Sequence, residues 1–157
     1  MIRVGIGYDL HRLVSGRKLL LGGIELPFER GEDGHSDGDV LFHAVTDAVL
    51  GAAGLGDIGS FFPPEDSKWK DSDSGFLLKT VMDKVYTDGW KIENLDCVVK
   101  LEKPKFIPYR EKVIASIASV LGVEKSQVFV KAKTGEKLPP VGTSDAVEAY
   151  VVCLLSK

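Results

Sequence analysis

Apolar and polar positions alternate from the first residues. Ile2, Val4, Ile6 and Tyr8 interleave with Arg3, Gly5 and Gly7, the two-residue period of a strand. Asp9 and His11 continue that spacing, so in extended chain they project to one side. Lys18 to Phe28 reads as a hairpin turning at Gly22-Gly23, and Glu29 to Gly34 as a loop. The period then lengthens. Val40, Leu41, Ala44, Val45, Ala48, Val49 and Ala52 recur at three- and four-residue steps, which predicts an amphipathic helix. Ser36 or Asp37 is placed to cap its start, and Gly54 and Gly56 to end it.

Downstream, GDIGSFFPPEDSKWKDSDS is rich in Gly, Pro, Ser and Asp, and a connection of this length in a compact domain reads as a functional lid. A helix is expected from about Ser74 to Thr87 with Phe76, Leu77, Val81 and Val85 inward, then a strand from Ile92 to Leu101. Pro108 can open the next helix, which runs to Leu121 and stops at Gly122. A strand from Val128 to Ala132, a loop KTGEKLPPVGTSD and a last strand from Ala146 to Leu155 complete the chain. The pattern predicts an α+β fold over residues 1–157: one domain, one mixed sheet, helices on one face.

The 157 residues suit a single domain able to bury roughly two-thirds of its unfolded surface. Hydrophobic content of 44% and charged content of 27% are ordinary for a soluble globular protein. A net charge of −3 gives no general attraction to nucleic acid or an anionic membrane, so an anionic substrate must be met by local cations or bound metal. No apolar run approaches a membrane span, and Met1 leads straight into a strand with no export or import signal. Cys97 and Cys153 sit singly in apolar runs and read as buried thiols of a reducing compartment.

The candidate chemistry starts at His43. Asp39, His43 and Asp47 are four residues apart on one side of the helix, which suits a metal ligand whose ring is held by a neighbouring acid; the plain alternative is a solvated helix face. With Asp9 and His11, His43 makes a two-histidine, one-carboxylate set. Zn²⁺ fits it with a fourth position open, and iron or manganese fits as well. His35, at the helix entrance, is either a solvated loop histidine or a donor to bound phosphate, helped by backbone N–H groups. Lys131, Lys133, Thr134, Glu136 and Lys137 form either a solvated turn or a phosphate-holding loop in which Glu136 takes Mg²⁺. There is no Gly-rich phosphate loop, serine elbow or CxxC pair, and Trp69 and Trp90 are too scattered for a base-stacking platform.

GYDLHR, HSDGDVLFHAVTDAVLGAAGLGDIG, FFPPEDSKWKDSDS and VKAKTGEKL occur in that order along the chain, and together they resemble the 2-C-methyl-D-erythritol 2,4-cyclodiphosphate synthase family of the non-mevalonate isoprenoid pathway. The resemblance spans about Arg3 to Leu155. It implies cyclisation of 4-diphosphocytidyl-2-C-methyl-D-erythritol 2-phosphate with release of CMP, by a homotrimer whose active sites lie between subunits. It implies one zinc per subunit on Asp9, His11 and His43, Mg²⁺ or Mn²⁺ on Glu136, and Asp47 as a carboxylate beside the zinc histidine. His35 and Thr134 match transition-state stabilisers. His35 and Ser36 match the contact to the erythritol phosphate, Asp57, Ile58, Gly59 and Phe62 match ribose and erythritol contacts, and Asp9, His11, Glu65 and Asp66 match further substrate contacts. Leu101, Pro104, Lys105, Phe106 and Ile107, with Lys133, Thr134 and Glu136, match a cytidine and diphosphate pocket. Three positions depart from the family pattern: Thr143 stands for an arginine, Pro140 for a frequent phenylalanine and Pro64 for a frequent aspartate. That arginine is associated with isoprenoid diphosphates in the trimer cavity, a side function therefore not expected here. The implied compartment is the bacterial cytoplasm, with a plastid-type organelle as the alternative if a transit segment was removed. A zinc phosphoesterase and a non-catalytic metal-folded module are the rival readings of the same residues.

Overall fold

The computed structural model describes residues 1–34, 36–63, 65–69 and 72–157. His35 and Pro64, both singled out in the sequence, lie outside the described residues. Strand β1 (Ile2–Ser15) is followed by β2 (Leu19–Leu21), β3 (Ile24–Leu26), β4 (Arg30–Glu32), α1 (Val40–Ala53), the short α2 (Ile58–Phe61), α3 (Ser74–Thr87), β5 (Lys91–Lys100), α4 (Arg110–Leu121), β6 (Val128–Lys133) and β7 (Ala146–Ser156). The sheet is mixed, with order β4-β1-β7-β5-β6, and only the β5–β6 pair is parallel. β2 and β3 form the separate hairpin expected around Gly22-Gly23.

Which face of β1 turns inward is decided by glycine. A Cβ at Gly5 would lie 1.9 Å from the Ala48 carbonyl oxygen, and one at Gly7 1.8 Å from that of Ala44. Without side chains at those positions, α1 closes directly onto the strand. The apolar alternation seen in the sequence is real, but it faces the other way: Ile2, Val4 and Ile6 are 73%, 66% and 71% exposed. Tyr8 and Leu10 continue that bare stripe, beside Tyr150 and Val152 of β7. The core lies on the opposite side of the sheet, where Leu41, Leu50, Leu78, Met82, Leu95, Ile117, Leu121 and Leu155 are fully buried.

Several boundaries differ from the sequence pattern for identifiable reasons. β1 runs on to Ser15 because β7 pairs with it as far as Arg12 and β4 pairs with Leu13–Ser15. Glu29 to Gly34 is thus not all loop. The helix α1 is capped by Asp39 rather than Ser36 or Asp37: its side chain accepts from the Leu41 and Phe42 N–H groups. The same buried carboxylate accepts from Gly22 and Gly23, while buried Glu32 accepts from Leu20 and Val40. Two acids therefore tie the hairpin to the helix start. Phe76 is exposed because the buried stripe of α3 runs through Leu77, Leu78, Val81, Met82 and Val85, and Phe76 is two residues from Leu78, on the opposite side of the turn. A 3₁₀ turn at Ile107–Tyr109 precedes α4, and Gly54 and Gly122 end α1 and α4 in the left-handed conformation.

Candidate metal and substrate site

The odd-numbered side of β1 that receives α1 at Gly5 and Gly7 carries Asp9 and His11 two and four residues further on. α1 runs back along that side, so its first turn brings His43 over them. Asp9 Oδ2 lies 2.9 Å from His11 Nε2 and 3.0 Å from His43 Nδ1, and the imidazole centroids are 5.1 Å apart. Among the described residues these three form the group of potential metal ligands, each partly buried. An ion about 2.0–2.1 Å from each atom in tetrahedral geometry sets its ligands about 3.3 Å apart, so the two gaps from Asp9 need widen only by a few tenths of an ångström, and all three ligand atoms already lie within 4.8 Å of one another. The donor set fits zinc.

Electrostatics favour the ionised acid. Burial alone would raise the Asp9 carboxyl, but its hydrogen bonds to His11 and His43, and their charges, hold it well below the usual carboxylate range. Burial lowers His11, yet the Asp9 contact and the bond to the Gly38 carbonyl outweigh it and raise the imidazole.

The far sides of both rings are held by one loop and one helix start. His11 Nδ1 sits 2.6 Å from the Gly38 carbonyl oxygen. His43 Nε2 lies 2.9 Å from Ser36 Oγ and 2.9 Å from Ser74 Oγ. Arg17 braces the loop by donating to the Glu32 and Ser36 carbonyls. The ring-holding part expected of Asp47 falls to these serines: Asp47 Oδ1 accepts the Ile58 N–H at 2.7 Å and so anchors α2. Asp39 is likewise occupied with its cap.

A cavity of about 580 Å³ opens over the three ligands. The sequence-expected Ser36, Asp47, Ile58, Gly59, Phe62 and Glu65 line it, joined by Gly34, Ser67, Trp69 and Leu77. Trp69 packs edge-on against Phe62 at 4.8 Å between centroids and gives the cavity an apolar wall. Asp57 and Asp66 do not line it; Asp57 caps α2 through Ser60 N–H, and Asp66 accepts from Lys68 N–H. A second cavity of about 210 Å³ gathers Leu101, Pro104, Lys105, Phe106, Ile107, Lys133 and Thr134, with Glu102 and Ala132. Glu136 stands beside it, exposed and left-handed (φ 53°), and accepts the Thr134 hydroxyl at 2.7 Å. The two cavities share no lining residue within one chain. Thr143 turns back onto the Pro140 carbonyl and Asp145.

Sequence reasoning missed Trp69, Leu77 and Ser74. Trp69 carried a signal, lying inside the Pro/Asp-rich connection flagged as a lid. Ser74 carried none, since nothing in spacing links it to His43.

A model of the YgbB family matches residues 2–156. A 2-C-methyl-D-erythritol 2,4-cyclodiphosphate synthase of Treponema denticola is 56% identical over 154 residues, covering 98% of this chain and 96% of that protein. Among solved structures, a CDP-bound 2C-methyl-D-erythritol-2,4-cyclodiphosphate synthase superposes with a TM-score of 0.90 at 38% identity, over 98% of this chain and 100% of that one. The bifunctional IspDF of Campylobacter jejuni superposes at 0.94 with 39% identity; it covers 99% of this chain, which spans 42% of that longer protein.

Proposed function

The chain belongs to the YgbB family, and we propose that it cyclises 4-diphosphocytidyl-2-C-methyl-D-erythritol 2-phosphate to 2-C-methyl-D-erythritol 2,4-cyclodiphosphate with release of CMP. The observation that carries this reading is the convergence of Asp9, His11 and His43 on the wall of a cavity that Phe62 and Trp69 also line. It is joined by the synthase names of near-full-length relatives. In the reaction an oxygen of the substrate's own 2-phosphate forms the new bond to the β-phosphorus, and the bond from that phosphorus to the CMP oxygen breaks. The nucleophile is already in the substrate, so the protein needs no activated serine, cysteine or water. It must bring crowded phosphates together and offset their charge.

The residues divide that work. His11, His43 and Asp9 would hold zinc, which supplies Lewis-acid polarisation of a phosphoryl oxygen when bound. Glu136 is one exposed carboxylate beside a hydroxyl, a donor set that suits Mg²⁺ or Mn²⁺ shared with a diphosphate. Lys133 and Thr134 border the smaller cavity and would face the diphosphate, with Leu101 to Ile107 around the cytidine; the CDP bound by the related synthase supports a cytidine nucleotide as ligand. Ser36, Ile58, Gly59, Phe62 and Glu65 would take the methylerythritol phosphate, and Asp57 and Asp66 would approach from the rim once the ligand is seated. His35 and Thr134 would stabilise the developing charge. Asp47 would orient the zinc face indirectly, through α2.

A substrate with a cytidine at one end and a methylerythritol phosphate at the other needs both cavities. One chain keeps them separate, which favours sites completed by a neighbouring copy. The bare stripe Ile2, Val4, Ile6, Tyr8 and Leu10, extended by Tyr150 and Val152, is the surface we assign to that contact, in a homotrimer. No helix of the described residues is long and apolar enough to cross a membrane. Two buried free thiols, each pushed up to about 12 mainly by burial, suit a reducing bacterial cytoplasm.

Incubation of the metal-loaded chain with the cytidylated substrate in ¹⁸O-labelled water tests the reaction. One equivalent of CMP and an unlabelled cyclic diphosphate is the expected result. Solvent oxygen in the product would make the chain a phosphoesterase, and absence of CMP would make it a binding module.

A further inference from the structure

The metal-facing atom of His43 is decided on the other side of its ring. Ser74, the first residue of α3 and 1% exposed, presents Oγ 2.9 Å from His43 Nε2. Behind it, Asp37 Oδ1 accepts the Ser74 hydroxyl at 2.5 Å, and Asp37 Oδ2 accepts the Ser74 backbone N–H at 3.0 Å. A hydroxyl carries one proton, and the carboxylate has none to give. The Ser74 proton must therefore lie toward Asp37, which leaves an oxygen lone pair toward the ring. Against that lone pair His43 Nε2 is matched only as a donor, while the Ser36 hydroxyl, 2.9 Å from Nε2 and 3.3 Å from Ser74 Oγ, can give or accept. Were the ring to accept from Ser74 instead, two lone pairs would face each other across the Asp37 contact.

We propose that Ser74, with Asp37 behind it, is a positioning residue that holds the His43 proton on Nε2 and so turns the Nδ1 lone pair toward the cation site shared with Asp9 and His11. Ser36 cannot fix the tautomer alone. Its Oγ lies equally near Nε2 and accepts the Gly38 N–H at 3.2 Å, but no carboxylate commits its proton. Polarisation of the Ser74 hydroxyl by Asp37 also strengthens it as an acceptor and makes the imidazole a better ligand. The lock joins three segments: α1, the loop before it and the end of the long connection into α3.

This inference rests on the reading of His43 as a metal ligand, and the test separates the two. Zinc affinity of the full chain is measured by chelator competition for wild type, Ser74→Ala, Asp37→Asn and the double variant. Alongside, long-range ¹H–¹⁵N correlation on the zinc-loaded protein reads the His43 ring protons. Ser74→Ala is expected to weaken zinc binding about 10- to 100-fold and to move the Nε2 proton upfield from its hydrogen-bonded position. Asp37→Asn acts through Ser74, so it weakens binding less, and the double variant loses no more than Ser74→Ala. If Ser74→Ala does not fold, Asp37→Asn carries the test with the same proton shift. Zinc affinity within about twofold of wild type with an unmoved proton overturns the proposal, as does a double variant in which the two losses multiply. A wild-type chain with no zinc affinity overturns the metal reading and this one with it, whereas zinc loss in His43→Ala beside an unaffected Ser74→Ala overturns this one alone.

Discussion

The two faces of β1 share a backbone and have opposite fates. Its odd-numbered face has little apolar side chain at Gly5 and Gly7, yet it is the face that α1 covers, and it carries Asp9 and His11 to His43. Its even-numbered face holds Ile2, Val4, Ile6, Tyr8 and Leu10 and is left bare by the chain's own folding. One face is completed within a chain because the ligands ride on packed secondary structure. The other is the face we propose to be completed by association. The same division separates the potential metal ligands, held in place by the core, from the exposed loop at Lys133–Glu136, which in the proposed assembly the substrate and a neighbouring copy would finish.

The sharpest way to break the first face is Gly7→Val. Its side chain would have to occupy the space of the Ala44 carbonyl, so α1 must lift, at a cost of about 3 kcal/mol or more. Chemical denaturation should show that loss, with zinc binding lost in parallel. His43→Ala is next: the folded chain should release its zinc and turn over about 10²–10³-fold more slowly or worse, read by metal content and CMP release. The second face is broken by Ile6→Asp. Light scattering should report smaller particles and activity should fall steeply. Zinc should stay bound, because all three ligands come from one chain; zinc loss there would contradict the division.

Glu136→Ala should leave zinc in place and weaken the Mg²⁺ dependence of turnover about 10-fold, the scale of losing one charged contact. The smallest effect concerns the acids behind α1. Burial and neighbouring Asp37 push Asp39 up to about 6, against backbone hydrogen bonds that pull it down. The folded chain therefore holds the extra proton between about pH 4 and 6. This contribution to stability is complete below pH 4 and is lost as pH rises through 6, read as a falling urea midpoint of the metal-free chain.

Much of this was legible in the residues. The two-residue step of Asp9 and His11, the helical step through His43, the Gly22-Gly23 turn and the stops at Gly54 and Gly122 are local patterns, and the structure follows them. Which face of β1 turns inward was not. Alternation shows that two faces differ, but only the approach of α1 makes the glycine face the covered one. Asp39 took the cap from Ser36 and Asp37 because the hairpin supplies it with two further N–H donors. Ser74 reaches His43 across 31 positions of chain, a link made by helix packing and by no periodicity.

Zinc-edge X-ray absorption on the purified chain, with and without the cytidylated substrate, tests the central claim most directly. The account predicts two imidazole nitrogens and one carboxylate oxygen at about 2.0–2.1 Å, plus a fourth light atom that is replaced by a phosphate oxygen when substrate is added. A sulfur in the coordination sphere, or four protein ligands unchanged by substrate, would contradict it.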